Sequence, residues 1–296
     1  MRQSPTVRLR RLSNELRSLR EKLGLTVAEA ARRADWAQSK LSRAENRQWR
    51  QPVIADLERL LDVYGLTEET QPARREDLLQ LARDARRRGW WAGYSISDAY
   101  STYVGFEAEA SVIRTHEPLV IPGLLQCAAY ARALISSRDA DLTPEDVDHL
   151  VALRMQRQAR LVSVDPINLR AVLGEEVLRR LVGGTAVMAE QLAHLYKIAQ
   201  QPHVQIQVLP LSAGAAPIGG PFSIFTFMDD PLDPESVYVE SIAGDLWVED
   251  PQQVARYLRG WARLVDAALP VPASLSVIEA RASYLKARAH GADPLA

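Results

Sequence analysis

The stretch LTVAEAARRADWAQSKLSRAEN, residues 25–46, decides the fold of the N-terminal end of the chain. Thr26 and Glu29 have the spacing of a capping box, which predicts the start of a helix that runs from about Val27 to Ala34. A second helix is predicted from about Gln38 to Glu45, because its apolar residues recur at helical spacing. Only the three residues DWA separate the two helices, and so short a connection is typical of a helix-turn-helix.

The second of these helices has a polar outward face. Leu41 and Ala44 define its buried direction, since each residue advances by about 100° around an α-helix. The polar side chains point away from that direction or lie on its flanks, and they are Gln38, Ser39, Lys40, Ser42, Arg43 and Asn46. Their amide, hydroxyl and cationic groups are those that contact base edges and phosphates, so we expect this helix to enter the major groove of DNA.

Further amphipathic helices flank this pair. Four leucines recur at positions i, i+4, i+7 and i+11, and they are Leu12, Leu16, Leu19 and Leu23. Their spacing predicts a helix from about Val7 to Lys22, which Gly24 ends. Pro52 suits the first turn of another helix in PVIADLERLLDVYGL. We therefore expect a compact domain of four to five helices.

The net charge of −1 hides an asymmetry along the 296 residues. Residues 1–90 carry 20 lysines and arginines against 13 acidic residues, whereas the rest of the chain carries 16 against 24. Within the first 50 residues the balance is 13 against 5. A basic end on an acidic remainder indicates contact with nucleic acid or a membrane surface, although arginines that only solvate helix faces would give the same count.

The composition indicates the cellular compartment of the protein and argues against disulfide and metal sites. Hydrophobic residues make up 47% of the chain and charged residues 25%, the balance of a globular protein long enough for two domains. No apolar run approaches the roughly 18 to 20 residues of a membrane span, and the N-terminus lacks a signal-peptide core, so we expect a cytoplasmic protein without membrane contact. Cys127 is the single cysteine and the five histidines are scattered, so we expect no disulfide, metal or cofactor.

The run LTVAEAARRADWAQSKLSRAEN, followed by PVIADLERLLDVYGL, resembles the helix-turn-helix of the lambda-repressor/Cro family, the xenobiotic-response-element type, over about residues 7–66. KLSRAEN is its most diagnostic part. The resemblance implies that Gln38, Ser39 and Arg43 contact bases, with Thr26 and Asn46 on the phosphate side. The whole expected DNA-binding set is Thr26, Gln38, Ser39, Lys40, Ser42, Arg43, Asn46 and Arg47.

Four positions depart from the family pattern. Asp35 and Arg47 stand where the family usually has glycine, and a left-handed backbone there suits aspartate better than arginine. Val27 replaces a polar phosphate contact, and Ala37 is a poor N-cap for the second helix. These departures weaken single contacts and do not change the expected fold.

Two segments connect this domain to the rest of the chain. RREDLLQLARDARRRGWW predicts an amphipathic linker helix within residues 69–92, suited to connection or dimerisation. Its arginine run, residues 86–88, is interpreted as a solvated face. Six aromatic residues lie between Trp90 and Phe106, and we interpret them as a hydrophobic layer where one domain docks on the next. A surface for a partner or a small molecule is the alternative.

Residues 93–296 predict a mixed α and β domain. Helical patterns cover about 124–136, 144–161 and 186–200, and strand patterns appear in INLRAVL, VQIQVLPL, FSIFTFM and VYVES. Over about residues 95–270 this half resembles the C-terminal domain of unknown function of actinobacterial helix-turn-helix regulators that are described as antitoxin-like. The resemblance implies a sensing or partner-binding domain in a regulator encoded beside a small partner protein.

An enzyme is the weaker interpretation. Cys127 and His116 are the visible nucleophile and base, but Cys127 lies at apolar helical spacing, where a free cysteine is usually a core residue. The loop SAGAAPIGG lacks the lysine and Ser/Thr of a P-loop and suits a plain hairpin connection. Nothing in the sequence fixes the separation of Glu107, Glu109 and Glu117 as acid and base. We therefore expect no enzymatic activity.

Together these observations predict a multidomain protein with an all-α helix-turn-helix domain (1–68), a linker helix (69–92) and an α+β regulatory domain (93–296). The expected function is sequence-specific transcriptional regulation from a double-stranded DNA operator, by a homodimer because one helix-turn-helix contacts only a half-site. The alternative is an antitoxin-like interaction module that sequesters a small partner protein, with DNA binding secondary. A ligand-gated regulator is a third option.

Overall fold

The computed structural model describes residues 4–46, 48–49, 51–215, 220–227, 235–241 and 244–289. The chain divides after Glu109 into two compact units, an all-α unit and a unit that combines a sheet with helices. This is the predicted fold class. The division differs from the expected boundaries at residues 68 and 92, because residues 69–109 belong to the first unit.

In the first unit, every regular element among the described residues is a helix. Its α-helices are α1 (Pro5–Lys22), α2 (Val27–Arg33), α3 (Gln38–Glu45), α4 (Ile54–Val63), α5 (Pro72–Ala85) and α6 (Asp98–Glu109). A 3-10 turn at Trp90–Gly93 lies between α5 and α6. The predicted bounds of α2 and α3 agree with the structure to within one residue.

The connection between α2 and α3 follows from its sequence. Thr26 and Glu29 form the predicted capping box at the start of α2. Asp35 adopts the predicted left-handed backbone, with a φ of 56°, and so reverses the chain after α2. Ala37 caps α3 without a side-chain hydrogen bond, as its methyl group requires.

The start of α4 corrects one prediction. Val53 is the N-cap, and the backbone N–H groups of Asp56 and Leu57 both donate to its carbonyl oxygen. The first helical turn therefore begins at Ile54, and the placement of Pro52 inside it is wrong. Pro52 precedes the cap, where the missing N–H of proline costs no helical hydrogen bond.

Helix α5 completes the hydrophobic core of the helix-turn-helix. Leu78, Leu79 and Ala82 are buried in the same cluster as residues of α1 to α4. Arg74 forms an ion pair with Glu15 of α1, and Arg75 donates to both Asp62 and the Leu66 carbonyl at 2.7 Å. The segment expected to be a linker is thus partly a structural element of the first unit.

Helix α6 packs on the first half of α1. The Glu109 carboxylate accepts hydrogen bonds from the Ser4 backbone N–H at 2.9 Å and from Arg8 at 3.1 Å. A Cβ atom on Gly105 would lie 2.3 Å from the Thr6 hydroxyl oxygen, so the two helices approach closely only because this residue is glycine. Trp91, in the 3-10 turn before α6, is buried, and its indole N–H donates to the Ser101 hydroxyl at 2.9 Å. Much of the aromatic segment therefore folds within the first unit.

The second unit is built on a mixed sheet. Within the described residues the strands are β1 (Val112–Glu117), β2 (Asn168–Gly174), β3 (Val204–Leu209), β4 (Phe222–Thr226), β5 (Ser236–Val239) and β6 (Leu246–Val248). Their order is β3-β2-β1-β4-β5-β6. The pairs β1–β2 and β2–β3 are parallel, whereas β4 to β6 pair antiparallel and join the parallel half through β1.

This sheet corrects the expected hairpin around SAGAAPIGG. The sequence predicts β2 to β5 in nearly their observed positions, but β3 and β4 are not neighbours, because β2 and β1 lie between them. The loop is therefore a crossover that carries the chain from one edge of the sheet past two strands. Its residues 216–219 lie outside the described residues.

Helices cover the sheet of the second unit. They are α7 (Ala128–Arg138), α8 (Pro144–Arg157), α9 (Glu175–Arg179), α10 (Gly184–Ile198), α11 (Pro251–Ala267) and α12 (Val271–Ala289). Val254, Trp261 and Leu264 of α11 are buried against strand residues such as Phe222 and Ile224. Among the described residues no single helix is long and apolar enough to cross a membrane, and α11 with α12 reaches that length only as a pair bent by 67°.

Candidate nucleic-acid interface

The outward face of α3 presents three exposed polar side chains. Gln38, Ser39 and Arg43 are all exposed, and within the described parts of the chain their side chains form no hydrogen bond or ion pair. Leu41 and Ala44, on the opposite side, are buried at 0% and 1% exposure. The amphipathic orientation that the sequence predicts for this helix is therefore confirmed, and its polar groups face solvent.

Ser42 and Asn46 lie together at the end of α3. The Asn46 amide nitrogen donates to the Ser42 carbonyl oxygen at 2.8 Å and lies 3.3 Å from the Ser42 hydroxyl. The Ser42 carbonyl oxygen also accepts the helical hydrogen bond from the Asn46 backbone N–H at 3.0 Å, so both nitrogens of Asn46 bind it. Both residues thus border the outward face while closing the helix. Arg47, the next residue of the expected set, lies outside the described residues.

Thr26 lies at the exposed start of α2 and is already engaged by Glu29. Its hydroxyl donates to the Glu29 carboxylate at 2.7 Å and accepts from the Glu29 backbone N–H at 3.2 Å. The Thr26 backbone N–H donates to the same carboxylate at 2.9 Å. Hydrogen bonds from Thr26 to the carboxylate hold the pKa of Glu29 below its ordinary value. The capping box therefore sets the start of α2 and places a negative charge beside Thr26.

Lys40 differs from the rest of the expected set because its ammonium group is bound to another helix. Its Nζ lies 2.5 Å from the Asp56 carboxylate of α4 and 4.5 Å above the centre of the Trp36 ring. Trp36 is buried in the turn and packs edge to face on Trp49 at 5.4 Å. Lys40 thus links α3 to α4 and to the turn.

A buried ion pair fixes the other side of α3. Arg20 of α1 binds Glu45 through two parallel hydrogen bonds of 2.7 and 2.8 Å, and its third contact is the Leu25 carbonyl at 2.8 Å. The Glu45 side chain is only 2% exposed. The hydrogen bond to Glu45 raises the pKa of the Arg20 guanidinium, so Arg20 stays positively charged in this contact. The pair links the end of α3 to α1 and to the start of α2.

Sequence reasoning missed this ion pair, although the signal was present. Arg20 stands four residues after Leu16 and eight after Leu12, on the apolar stripe of α1. Glu45 stands four residues after Leu41 and beside Ala44, on the buried side of α3. One positive and one negative residue at core positions of two packed helices indicate a buried pair, since lone buried charges are strongly disfavoured.

Cys127 and His116, the residues considered as a catalytic nucleophile and base, are both buried in structural positions. Cys127 is buried at the N-cap of α7, and burial raises the pKa of its thiol. His116 is buried in β1, where its Nδ1 lies 3.1 Å from the Val172 carbonyl, and burial lowers the pKa of its ring. No hydrogen bond joins these two side chains in the part of the chain that is described.

The three glutamates weighed as acid and base belong to different units. Glu107 and Glu109 lie on α6 of the first unit, where Glu109 binds Ser4 and Arg8. Glu117 ends β1 of the second unit. Burial, together with the nearby negative charge of Glu240, raises the pKa of its carboxyl to about 8.

Comparison with known families assigns both halves of the chain. Residues 11–78 match a helix-turn-helix domain, a range that begins in α1 and ends in α5. Residues 100–280 match a domain of unknown function, DUF5753. The chain belongs to the DUF5753 family. No curated protein and no solved structure matches it.

These matches fit the geometry of this DUF5753 protein. The helix-turn-helix match contains α2, α3 and the buried Arg20–Glu45 pair, so the outward face of α3 belongs to a DNA-binding type of domain. The DUF5753 match covers the sheet and most of α6 and α12. The chain therefore joins a helix-turn-helix DNA-binding domain to a domain for which the family itself supplies no activity.

Proposed function

We propose that this protein is a sequence-specific transcriptional regulator of the lambda-repressor/Cro type, whose helix α3 lies in the major groove of an operator. The observation that carries the proposal is the outward face of α3, where Gln38, Ser39 and Arg43 are exposed while the Arg20–Glu45 pair holds the helix from behind. Side chains that read bases must be presented at a fixed position, and a helix anchored in a packed core provides it.

The base contacts are assigned by chemistry. The Arg43 guanidinium can form two hydrogen bonds to a guanine, and the Gln38 amide can do the same with an adenine. Ser39 lies beside them and can accept or donate. Four further residues of the expected set are proposed to contact phosphates, and they are Thr26, Ser42, Asn46 and Arg47. The excess of 13 basic over 5 acidic residues in the first 50 supplies the attraction to the DNA backbone.

The regulator is proposed to act as a homodimer. It is proposed to act in the cytoplasm, the compartment that contains its operator DNA. One α3 helix covers only a half-site, and dimers place two such helices about 34 to 36 Å apart on one side of the duplex. A two-fold dimer also matches a palindromic operator. Sedimentation of the full chain with and without a duplex of two half-sites tests this step.

The second unit is proposed to sense a partner protein or a ligand. Residues 110–296 carry 21 acidic against 16 basic residues, so their net charge disfavours contact with DNA. In the antitoxin-like alternative, the same unit sequesters a small partner protein and DNA binding is secondary. We propose no catalytic role, which is supported by the burial of both Cys127 and His116.

Operator selection from genomic fragments, followed by fluorescence-anisotropy titration, tests the function. The full chain should bind the selected duplex at least about a thousandfold more tightly than a random duplex of equal length. Equal affinity for both would contradict sequence-specific regulation. Repeating the titration with the neighbouring gene product separates the alternatives: a product that binds the chain when no fragment is preferred supports sequestration.

A further inference from the structure

Asp56 is a largely buried carboxylate on the helix that follows α3. It lies in the first turn of α4 and its side chain is 12% exposed. Each of its oxygens binds a separate cation, Oδ2 the Lys40 ammonium at 2.5 Å and Oδ1 the Arg59 guanidinium at 2.5 Å. One negative charge is therefore shared by a lysine of α3 and an arginine of α4.

The Lys40 side chain is held by more than this ion pair. Its ammonium also lies 4.5 Å above the Trp36 ring, an arrangement in which the negative face of the ring attracts the cation. Trp36 is 7% exposed and is fixed by its contact with Trp49. As a result Lys40 is only 32% exposed, whereas Arg59 is 53% exposed. Of the two cations on Asp56, Lys40 is the more restrained.

Asp56 stays ionised under ordinary conditions. Burial opposes ionisation, but the hydrogen bonds from Lys40 and Arg59 outweigh it and hold the pKa of the Asp56 carboxyl below its ordinary value. The carboxylate thus cancels one positive charge next to the helix that faces DNA. Among the described residues, Gln38, Ser39 and Arg43 form no hydrogen bond or ion pair with Asp56, so its direct contacts are with Lys40 and Arg59.

We infer that Asp56 is a specificity-determining positioning residue, which holds Lys40 against α4 and so withholds one cation from the phosphates of DNA. This inference rests on the proposed function. Phosphate contacts are made equally with any sequence, so an additional lysine on the backbone strengthens binding to every duplex and adds little discrimination. Keeping Lys40 engaged within the protein leaves a larger share of the affinity to the base-contacting side chains.

The test compares Asp56→Asn with Asp62→Asn in the full chain. Both changes remove one negative charge from α4, but Asp62 binds Arg75 and is 54% exposed, away from Lys40's partners. Asp56→Asn should raise affinity for a random duplex by roughly three- to tenfold at 50 mM salt and steepen the logarithmic salt slope by about one. Its operator-to-random affinity ratio should fall. Asp62→Asn should show neither the steeper slope nor the lower ratio.

Repeating Asp56→Asn in two further variants identifies which cation Asp56 holds. The gain from Asp56→Asn should disappear when Lys40 is also changed to glutamine, and it should persist when Arg59 is changed to glutamine. A gain that survives Lys40→Gln and is lost with Arg59→Gln would overturn the inference. Asp56→Ser is the second variant if Asp56→Asn fails to fold by circular dichroism, since serine is tolerated in a first helical turn and gives the same charge change.

The outcomes for the two proposals differ. Equal salt slopes for Asp56→Asn and Asp62→Asn, in a chain that still prefers its operator, would overturn the role of Asp56 alone. If the unsubstituted chain binds no duplex, the proposed function fails and the role of Asp56 fails with it.

Discussion

On the inward face of α3, Glu45 is 2% exposed and binds Arg20 through two short hydrogen bonds. On the outward face, Arg43 is exposed and its side chain binds no other described residue. Both are charged residues of one eight-residue helix, two positions apart. The difference indicates that charge on the inward face positions the helix, whereas charge on the outward face is available to a ligand. Substitutions on the two faces should therefore change different quantities.

The largest effect is expected on the inward face. Glu45→Ala leaves Arg20 buried without its carboxylate, and removal of one partner from a buried pair costs about 3 to 5 kcal/mol. Amide hydrogen exchange of α1 to α3 should report this loss as faster exchange. Glu68→Ala is the matched control, because it removes the same charge from an exposed side chain of the same unit. Equal exchange rates in the two variants would show that the ion pair does not hold the helix.

On the outward face, Arg43→Ala should change binding and leave folding intact. Loss of a bidentate contact to guanine costs about 1 to 3 kcal/mol of discrimination, so the variant should lose preference at one base position of the operator. Its melting temperature should equal that of the unsubstituted chain. Arg179→Ala, a similarly exposed arginine of the second unit, controls for net charge. An equal loss on operator and random DNA would place Arg43 on a phosphate instead.

Thr26 tests whether one residue can both stabilise a helix of the domain and contact DNA. Thr26→Ala removes the hydroxyl of the capping box and should destabilise α2 by about 1 kcal/mol. Thr26→Ser should restore most of that stability, because serine caps equally well. Exchange of the α2 amides measures the effect. If Thr26→Ala exchanges like the unsubstituted chain and still loses DNA affinity, Thr26 acts on DNA alone.

The smallest expected effect is a change in acid sensitivity. The folded pKa of Glu29 lies below its ordinary value of 4.5, so its hydrogen bonds add stability that is fully present above that pH. This stability is lost as the pH falls through the folded pKa. Thr26→Ala removes part of the cause and should reduce the loss between neutral pH and pH 3. If the melting temperatures of the two proteins fall equally over this range, the hydrogen bond from the Thr26 backbone N–H accounts for the effect and the hydroxyl does not.

Local patterns predicted much of the first unit. The leucines of α1, the capping box at Thr26 and the left-handed Asp35 each depend on residues within one or two helical turns, so the sequence contains their causes. Partners on different helices were not predictable in the same way. Lys40 was expected on DNA, and its contact with Asp56 needs the packing of α3 on α4, which no spacing within α3 specifies.

The second unit shows the same limit more strongly. Strands with continuous apolar or alternating patterns were predicted, but VIRTHE was missed because buried Thr115 and His116 are polar. β6 has only three residues and gives too short a pattern. The order of the strands follows from pairing across the sheet, so the crossover between β3 and β4 could not be read from the loop that forms it.

The pairing of β1 with β4 has a consequence for synthesis on the ribosome. Ser111, just before β1, bonds to Thr226 of β4, which is 115 residues later in the chain. At about 5 to 20 residues per second, that interval lasts roughly 6 to 23 seconds. Meanwhile α1 to α5 have already been made, and their contacts are closer in sequence, which favours early folding. The helix-turn-helix is thus assembled while β1 still lacks one of its neighbours.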